Sequence, residues 1–254
     1  MTSTRHSTAQ QFRSLHHART PLVVPHAGNV AAARAAEAGG AVAVSTDATA
    51  PDAVARIVAA VGVAVTVDIG DGRARTAPDT ADTAATVARV LATGAAGVEL
   101  TDRLGTGGLR PEAEQCHRIA AARCAACQAG VPLFVNARVD IPLAAEDTRL
   151  QDVLDRAAAY VAAGADGILV PGVTAIATAR RLVDRIAAPL TLLAGPGTPT
   201  VTELAETGAA RIGLVPAPGY AAVTGVSARL PRSRPSAATS PRTPNAAAVA
   251  KPAG

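Results

Sequence analysis

Residues 163–172 read Ala-Gly-Ala-Asp-Gly-Ile-Leu-Val-Pro-Gly. An Ala-Gly pair closes an Ala-rich stretch, and a short apolar run follows and ends on Pro-Gly. Glycine suits the first half because the residue after a helix often takes a left-handed conformation. A four-residue apolar run bounded by turn residues suits a strand buried on both faces. Near-copies of this helix exit stand at Ala38-Gly39-Gly40-Ala41, Thr93-Gly94-Ala95-Ala96 and Thr207-Gly208-Ala209-Ala210. Apolar runs ending in Gly, Pro, Asp, Asn, Ser or Thr recur at Leu22–Pro25, Ala41–Thr46, Ala64–Asp68, Gly97–Asp102, Leu133–Asp140, Gly167–Gly172, Leu190–Gly197 and Arg211–Pro216.

Between the runs, helical spacing of apolar residues predicts helices over Asn29–Ala38, Pro51–Ala60, Asp79–Thr93, Pro111–Ala129, Leu150–Ala163, Ala175–Ile186 and Val201–Thr207. Thr200 with Glu203 reads as a capping box, and Pro111 suits a helix start. Eight buried strands alternating with helices over 254 residues predict an α/β protein of the (β/α)8 TIM-barrel type. The eighth helix is expected to be weak, because 218–230 is short and holds Pro218, Gly219 and Gly225. That weakness predicts poor closure there, or cover from another copy of the chain. The expected layout is an N-terminal segment over 1–20, a barrel over 21–230, and a disordered, basic Pro/Ala/Ser-rich tail over 231–254. The acid-free N-terminal segment reads as a frayed start.

Composition narrows function. The net charge is +4, but Arg5, Arg13, Arg19, Arg232, Arg234, Arg242 and Lys251 sit in two acid-free ends, and without those seven the body stands at −3. Aromatic residues are 2% of the chain, so a stacking surface for nucleic acid is not expected. No run is long enough to span a membrane and residues 1–20 hold no apolar signal core, which points to the cytoplasm. Cys116, Cys124 and Cys127 read as small buried residues of one helix.

In a barrel of this type, chemistry belongs at the C-terminal ends of the strands. Strand alternation puts Asp68 and Gly70 on one face, Glu99 and Thr101 on another, and Asn136, Arg138 and Asp140 on a third. If these faces point inward, Asp68, Glu99 and Arg138 share the mouth, with Asp71 and Asp102 on the loops just beyond. Acids opposite an arginine suit a hard cation such as Mg2+ and an anionic substrate gripped by the guanidinium. A charge inside the apolar strand of Arg138 needs a partner. Glu99 either joins the site or pairs with Arg138 deeper down. Gly195–Thr198 is either an anion-binding helix start or a plain turn. The Gly-rich loop 102–110 suits a mobile lid. His16 and His17 fall at the wrong end for catalysis, and His26 at the productive end reads as a hydrogen-bonded loop residue.

At these positions the chain resembles the isocitrate lyase / phosphoenolpyruvate mutase superfamily over about residues 11–220. The matching stretches are Phe12-Arg13-Ser14-Leu15-His16, Pro25-His26-Ala27, Ser45-Thr46, Val65-Thr66-Val67-Asp68-Ile69, Gly107-Gly108-Leu109-Arg110-Pro111, Asn136-Ala137-Arg138-Val139-Asp140, Ala165–Thr174 and Leu193–Gly197. The resemblance implies a (β/α)8 barrel, Mg2+, and a small 2-oxo or 2-hydroxy carboxylate whose C–C or P–C bond is broken or formed through an enolate. It implies Asp68 as the metal aspartate and Arg138 as the substrate-carboxylate arginine. Ser45, Thr46 and Asn136 would complete the substrate site, and Asp71, Glu99 and Asp102 would stand in for missing metal acids. Gly70 and Thr101 replace two acids of the pattern, and Gly28-Asn29 replaces a Trp-Asp. Two readings follow: a Mg2+-dependent lyase or mutase, or a catalytically lapsed barrel that binds ligand or acts as a scaffold. Convergence of Asp68 with at least two of Asp71, Glu99 and Asp102 would favour the first.

Overall fold

A computed structural model describes residues 2–48, 50–70, 79–105, 107–143 and 148–215. Asp71, the segment 218–230 and the tail 231–254 lie outside the described residues.

The described chain runs α1 (Thr2–Leu15), β1 (Leu22–Pro25), α2 (Val30–Ala38), β2 (Ala43–Thr46), α3 (Pro51–Ala60), β3 (Ala64–Asp68), α4 (Asp79–Thr93), β4 (Gly97–Thr101), α5 (Glu112–Gln128), β5 (Phe134–Arg138), α6 (Leu150–Ala162), β6 (Gly167–Leu169), α7 (Ile176–Arg185), β7 (Leu190–Ala194), α8 (Val201–Ala205) and β8 (Arg211–Leu214). All eight strands are parallel, in the order β1-β8-β7-β6-β5-β4-β3-β2. The predicted barrel is therefore present.

β8 pairs in full register with both β7 and β1, and the segment 218–230 expected to form the weak last helix lies outside the described residues. The seam falls between β1 and β2, which meet through the His26–Ser45 bridge and the Ala27 amide donating to the Ser45 carbonyl at 2.7 Å. Both strands are four residues long, and β1 ends in Pro25, which has no amide to donate, so little ladder can form.

Alternation sorts the strand residues into two cores. Val23, Val67, Val98, Leu100, Val135, Ala137, Ile168, Val170, Leu192 and Ile212 face outward into the apolar layer under the helices. Each valine, leucine or isoleucine among them, fully buried, contributes roughly 1.5–3 kcal/mol of transfer free energy. Leu22, Val24, Ala43, Ala64 and Phe134 face inward and form the barrel floor with Ala9 and Phe12. The next inward residues along each strand are thereby assigned to the mouth.

The N-terminal segment is not frayed. It forms α1, which inserts Phe12 and His16 beneath the floor. His16 stacks on Phe134 at 3.7 Å between ring centroids, and its Nδ1 lies 2.8 Å from the Phe12 carbonyl. Arg13 anchors the helix to Asp166 at 2.7 Å. Apolar residues are sparse in α1, so its docking rests on Ala9, Phe12, the following His16 and an ion pair, a signal composition does not carry. Gly97 is required by this plug: a Cβ there would come within 2.8 Å of the Phe12 ring and 3.1 Å of the Phe134 carbonyl.

The cysteine expectation is also corrected. Cys124 and Cys127 are exposed and Cys116 is half-buried, because α5 turns Gln115, Arg118, Ile119, Ala122, Ala125 and Ala126 inward instead. The capping box forms as expected: the Thr200 hydroxyl accepts from the Glu203 amide, and Glu203 accepts from the Thr200 amide at 2.8 Å.

Candidate active site at the barrel mouth

Counting outward from the floor, His26 follows Leu22 and Val24, Ser45 and Asp47 follow Ala43, and Thr66 and Asp68 follow Ala64. Glu99 and Thr101 follow Gly97, and Asn136, Arg138 and Asp140 follow Phe134. The register confirms the ring, with Asp68 opposite Glu99, Glu99 opposite Asn136, and Thr101 opposite Arg138. The residues that alternation grouped on one face of β3, β4 and β5 continue the inward faces of Ala64, Gly97 and Phe134.

The ring has a deep level and a rim. At the deep level, Glu99 accepts from the Asn136 amide at 3.2 Å and from Arg211 Nη2 at 3.5 Å, and Asn136 also lies 3.3 Å from the Thr191 hydroxyl. All four side chains are buried. Glu99 thus pairs with Arg211 of β8, not with Arg138. Arg211 was missed because it opens its apolar run, where a charge reads as a boundary residue. Its register opposite Thr191 puts it inside. Burial raises the Glu99 pKa, and the Arg211 guanidinium opposes that rise. Asn136 spends its amide on this layer.

At the rim, Arg138 is held by Asp140: Nε donates to Oδ1 at 2.9 Å and Nη2 lies 2.8 Å from the same atom. Thr101 donates its hydroxyl to the other Asp140 oxygen. Arg138 is 28% exposed while Asp140 is 2% exposed, so one edge of the guanidinium is fixed and the remainder faces the mouth. Asp140 is the partner that the sequence demanded for Arg138. Asp68 accepts from the Gly70 amide at 2.7 Å. Burial raises its pKa, opposed by that hydrogen bond and by the Arg138 charge. Ser45 donates to the Pro25 carbonyl at 3.4 Å across the seam. His26 Nε2 lies 3.3 Å from Asp47 Oδ1, a carboxylate partner that was not foreseen.

Two predicted site residues lie on the other face of their strands. Thr46 is buried toward the helices, and its hydroxyl accepts from the Ala48 amide at 3.3 Å. Asp102 is fully buried behind β4. It accepts from the Asp140 amide at 2.8 Å, from Tyr160 at 2.8 Å and from Arg156 at 3.1 Å. It therefore braces the start of the loop after β5. The loop after β4 folds on itself through an Arg103–Leu109 bridge and the Arg110 amide donating to Asp102. At Gly195–Thr198 the Gly195 amide donates to the Thr198 hydroxyl at 2.8 Å, the arrangement of a turn.

The donor set bears on Mg2+. Among the described residues no three acids, histidines or cysteines converge on a point a metal ion could occupy. Glu99 is neutralised by Arg211, and Asp102 is turned away. Asp68 remains at the mouth with no ion pair to an arginine within 4 Å among the described residues. Mg2+ commonly takes one or two carboxylates and completes its shell with substrate oxygens and water. Asp68 fits that sparse role with a chelating substrate in place, and the described residues do not form a cage without one.

The described chain is a parallel eight-stranded (β/α)8 barrel with an arginine held by a carboxylate at its C-terminal mouth. The sequence profile of the phosphoenolpyruvate phosphomutase family matches residues 47–232. The chain belongs to that family, within the phosphoenolpyruvate mutase / isocitrate lyase superfamily. It is 33% identical over 251 residues to the uncharacterized protein Rv1998c of Mycobacterium tuberculosis (strain ATCC 25618 / H37Rv), covering 88% of this chain and 92% of that one. A phosphonomutase candidate from Burkholderia cenocepacia J2315 superposes with a TM-score of 0.76 at 38% identity, over 83% of this chain and 92% of that one. The fold also matches oxaloacetate acetylhydrolase in complex with the product oxalate, with a TM-score of 0.72 at 21% identity over 86% and 82% of the two chains.

Proposed function

We propose that the protein is a Mg2+-dependent lyase or mutase acting on a small 2-oxo or 2-hydroxy carboxylate through an enolate. The observation that carries this reading is the Arg138–Asp140 pair beside Asp68. Asp140 fixes one edge of the guanidinium, which leaves the rest to grip a carboxylate in the planar, two-point manner that lysine cannot reproduce. Asp68 supplies the hard oxygen for the cation, which when bound polarises the substrate's carbonyl oxygen. Ser45 lines the seam side of the same mouth. Water is limited from below by the closed layer of Glu99, Asn136, Thr191 and Arg211. We assign the protein to the cytoplasm, where its free thiols at Cys116, Cys124 and Cys127 would stay reduced.

The test is calorimetry of oxalate binding with and without Mg2+. A chelating acid and a one-carboxylate metal site should raise each other's affinity by the same factor. Asp68→Asn should abolish that mutual effect while leaving the melting temperature within a few degrees. Turnover would then be sought with a panel of C4–C6 2-oxo and 2-hydroxy acids.

A second reading, a catalytically lapsed barrel, draws on specific features: Arg211 neutralises Glu99, Thr101 is bound to Asp140, and Gly70 has no side chain. Oxalate and Mg2+ binding independently, or not at all, would favour it.

A further inference from the structure

We propose that His26 and Asp47 form an acid–base dyad that moves the proton at the substrate carbon. The assignment rests on the proposed function, in that the proton in question is the one an enolate gains or loses.

The placement follows from the strands. His26 follows Leu22 and Val24 on the β1 face, and Asp47, just past the end of β2 with an exposed side chain, follows Ala43 and Ser45 in the same alternation. The His26–Ser45 bridge fixes the backbone between them at the seam. His26 Nε2 lies 3.3 Å from Asp47 Oδ1. β2 pairs with β3 with Thr46 opposite Val67, so Asp47 and Asp68 leave neighbouring strands on the same side of the mouth. Gly28, just past His26, puts no side chain over the ring; even a Cβ there would come only within 3.9 Å of Nε2.

Chemistry follows from the pairing. A carboxylate 3.3 Å from Nε2 favours the Nε2–H tautomer of the neutral ring, which leaves Nδ1 as the base, and its charge stabilises the imidazolium once Nδ1 is protonated. The loose 3.3 Å contact is ordinary for a catalytic pair without substrate. In the forward half-step Nδ1 takes a proton from the carbon beside the substrate's carbonyl. The C–H pair becomes the C=C bond and the carbonyl pair settles on oxygen. In the reverse half-step the N–H bond breaks, its electron pair stays on nitrogen, and the enolate pair forms the new C–H bond. No other reactant is consumed. Among the described residues the charged group recorded against His26 is Asp47, from the end of β2.

The half-step can be read without knowing the natural substrate. The full-length protein is incubated with pyruvate in D2O, with and without Mg2+, and loss of the methyl proton signal is followed by NMR. Exchange is expected in the wild type. His26→Ala should lower it about a hundredfold, the usual scale of general acid–base catalysis. Added imidazole should restore part of the rate, which no structural role of His26 would give. Asp47→Asn should lower the rate by a smaller factor. Oxalate affinity should be unchanged in both variants, which also reports an intact mouth. Exchange at the wild-type rate in His26→Ala overturns the dyad. So does a wild type that binds oxalate yet exchanges nothing; the carboxylate site then stands without this base. A wild type that binds neither oxalate nor pyruvate removes the proposed function and the dyad together.

Discussion

Glu99 of β4 and Arg211 of β8 meet inside the barrel, Oε2 to Nη2 3.5 Å, although 112 residues separate them. Asn136 and Thr191 complete the layer. Among the described residues Arg211 Nε and Nη1 have no hydrogen-bond partner, so Glu99 carries most of its compensation there. Breaking a buried pair from one side strands a charge and costs about 3–5 kcal/mol. Glu99→Gln and Arg211→Met should each destabilise on that scale in urea titrations, and the double variant should recover much of the loss. Additive losses in the double variant would mean that the two charges do not depend on each other.

Arg138 should be the main anion contact. Arg138→Lys keeps the charge but cannot satisfy Asp140 and a substrate carboxylate in one plane. Oxalate affinity measured by calorimetry should fall by at least about tenfold, a loss of about 1.4 kcal/mol. Unchanged affinity would place the carboxylate elsewhere.

His16 should make the fold acid-sensitive. Burial lowers its pKa from 6.5 to about 3, with the Arg211 charge adding to the effect. Between those values the unfolded chain binds a proton that the folded chain refuses, so stability is full above 6.5 and declines as pH falls toward 3. The slope from one such group is about 1.4 kcal/mol per pH unit. Asp68, Glu99 and Asp102 have raised pKa values and act in the opposite sense, so the comparison is between wild type and His16→Phe. The stability difference between the two should shrink as the pH is lowered from 6.5. A constant difference would mean that His16 is protonated in place.

Tyr160 should matter through Asp102. Its hydroxyl donates to that carboxylate at 2.8 Å and accepts from Arg156 at 2.8 Å, while burial and the Asp102 charge push its pKa up. Tyr160→Phe removes one donor from a buried carboxylate and should cost about 1–3 kcal/mol. Because Asp102 also holds the Asp140 amide, oxalate affinity should fall modestly as well. A loss of stability with unaltered affinity would confine the network to a structural role.

The sequence by itself determined the barrel, because each of its signals is local. The helix exit at Ala163-Gly164, the capping box at Thr200 and Glu203, and the apolar runs are all legible within a few residues. Alternation also grouped Asp68 with Gly70, Glu99 with Thr101, and Arg138 with Asn136 and Asp140, since a period of two needs no knowledge of the partner strand, while the fold decided that these faces point inward. The tertiary structure decided who meets whom. Glu99 finds Arg211 and not Arg138, because β8 closes the ring beside β1 and sends its first residue to the barrel's centre. Asp102 turns to Tyr160 and Arg156, one residue out of phase with the mouth. His26 gains Asp47 where the short β1–β2 seam brings two strand ends together. The plug of Phe12 and His16 depended on the floor left open by Ala64 and Gly97. Each of these pairings joins positions far apart in sequence, and only the closed ring of strands sets their distances.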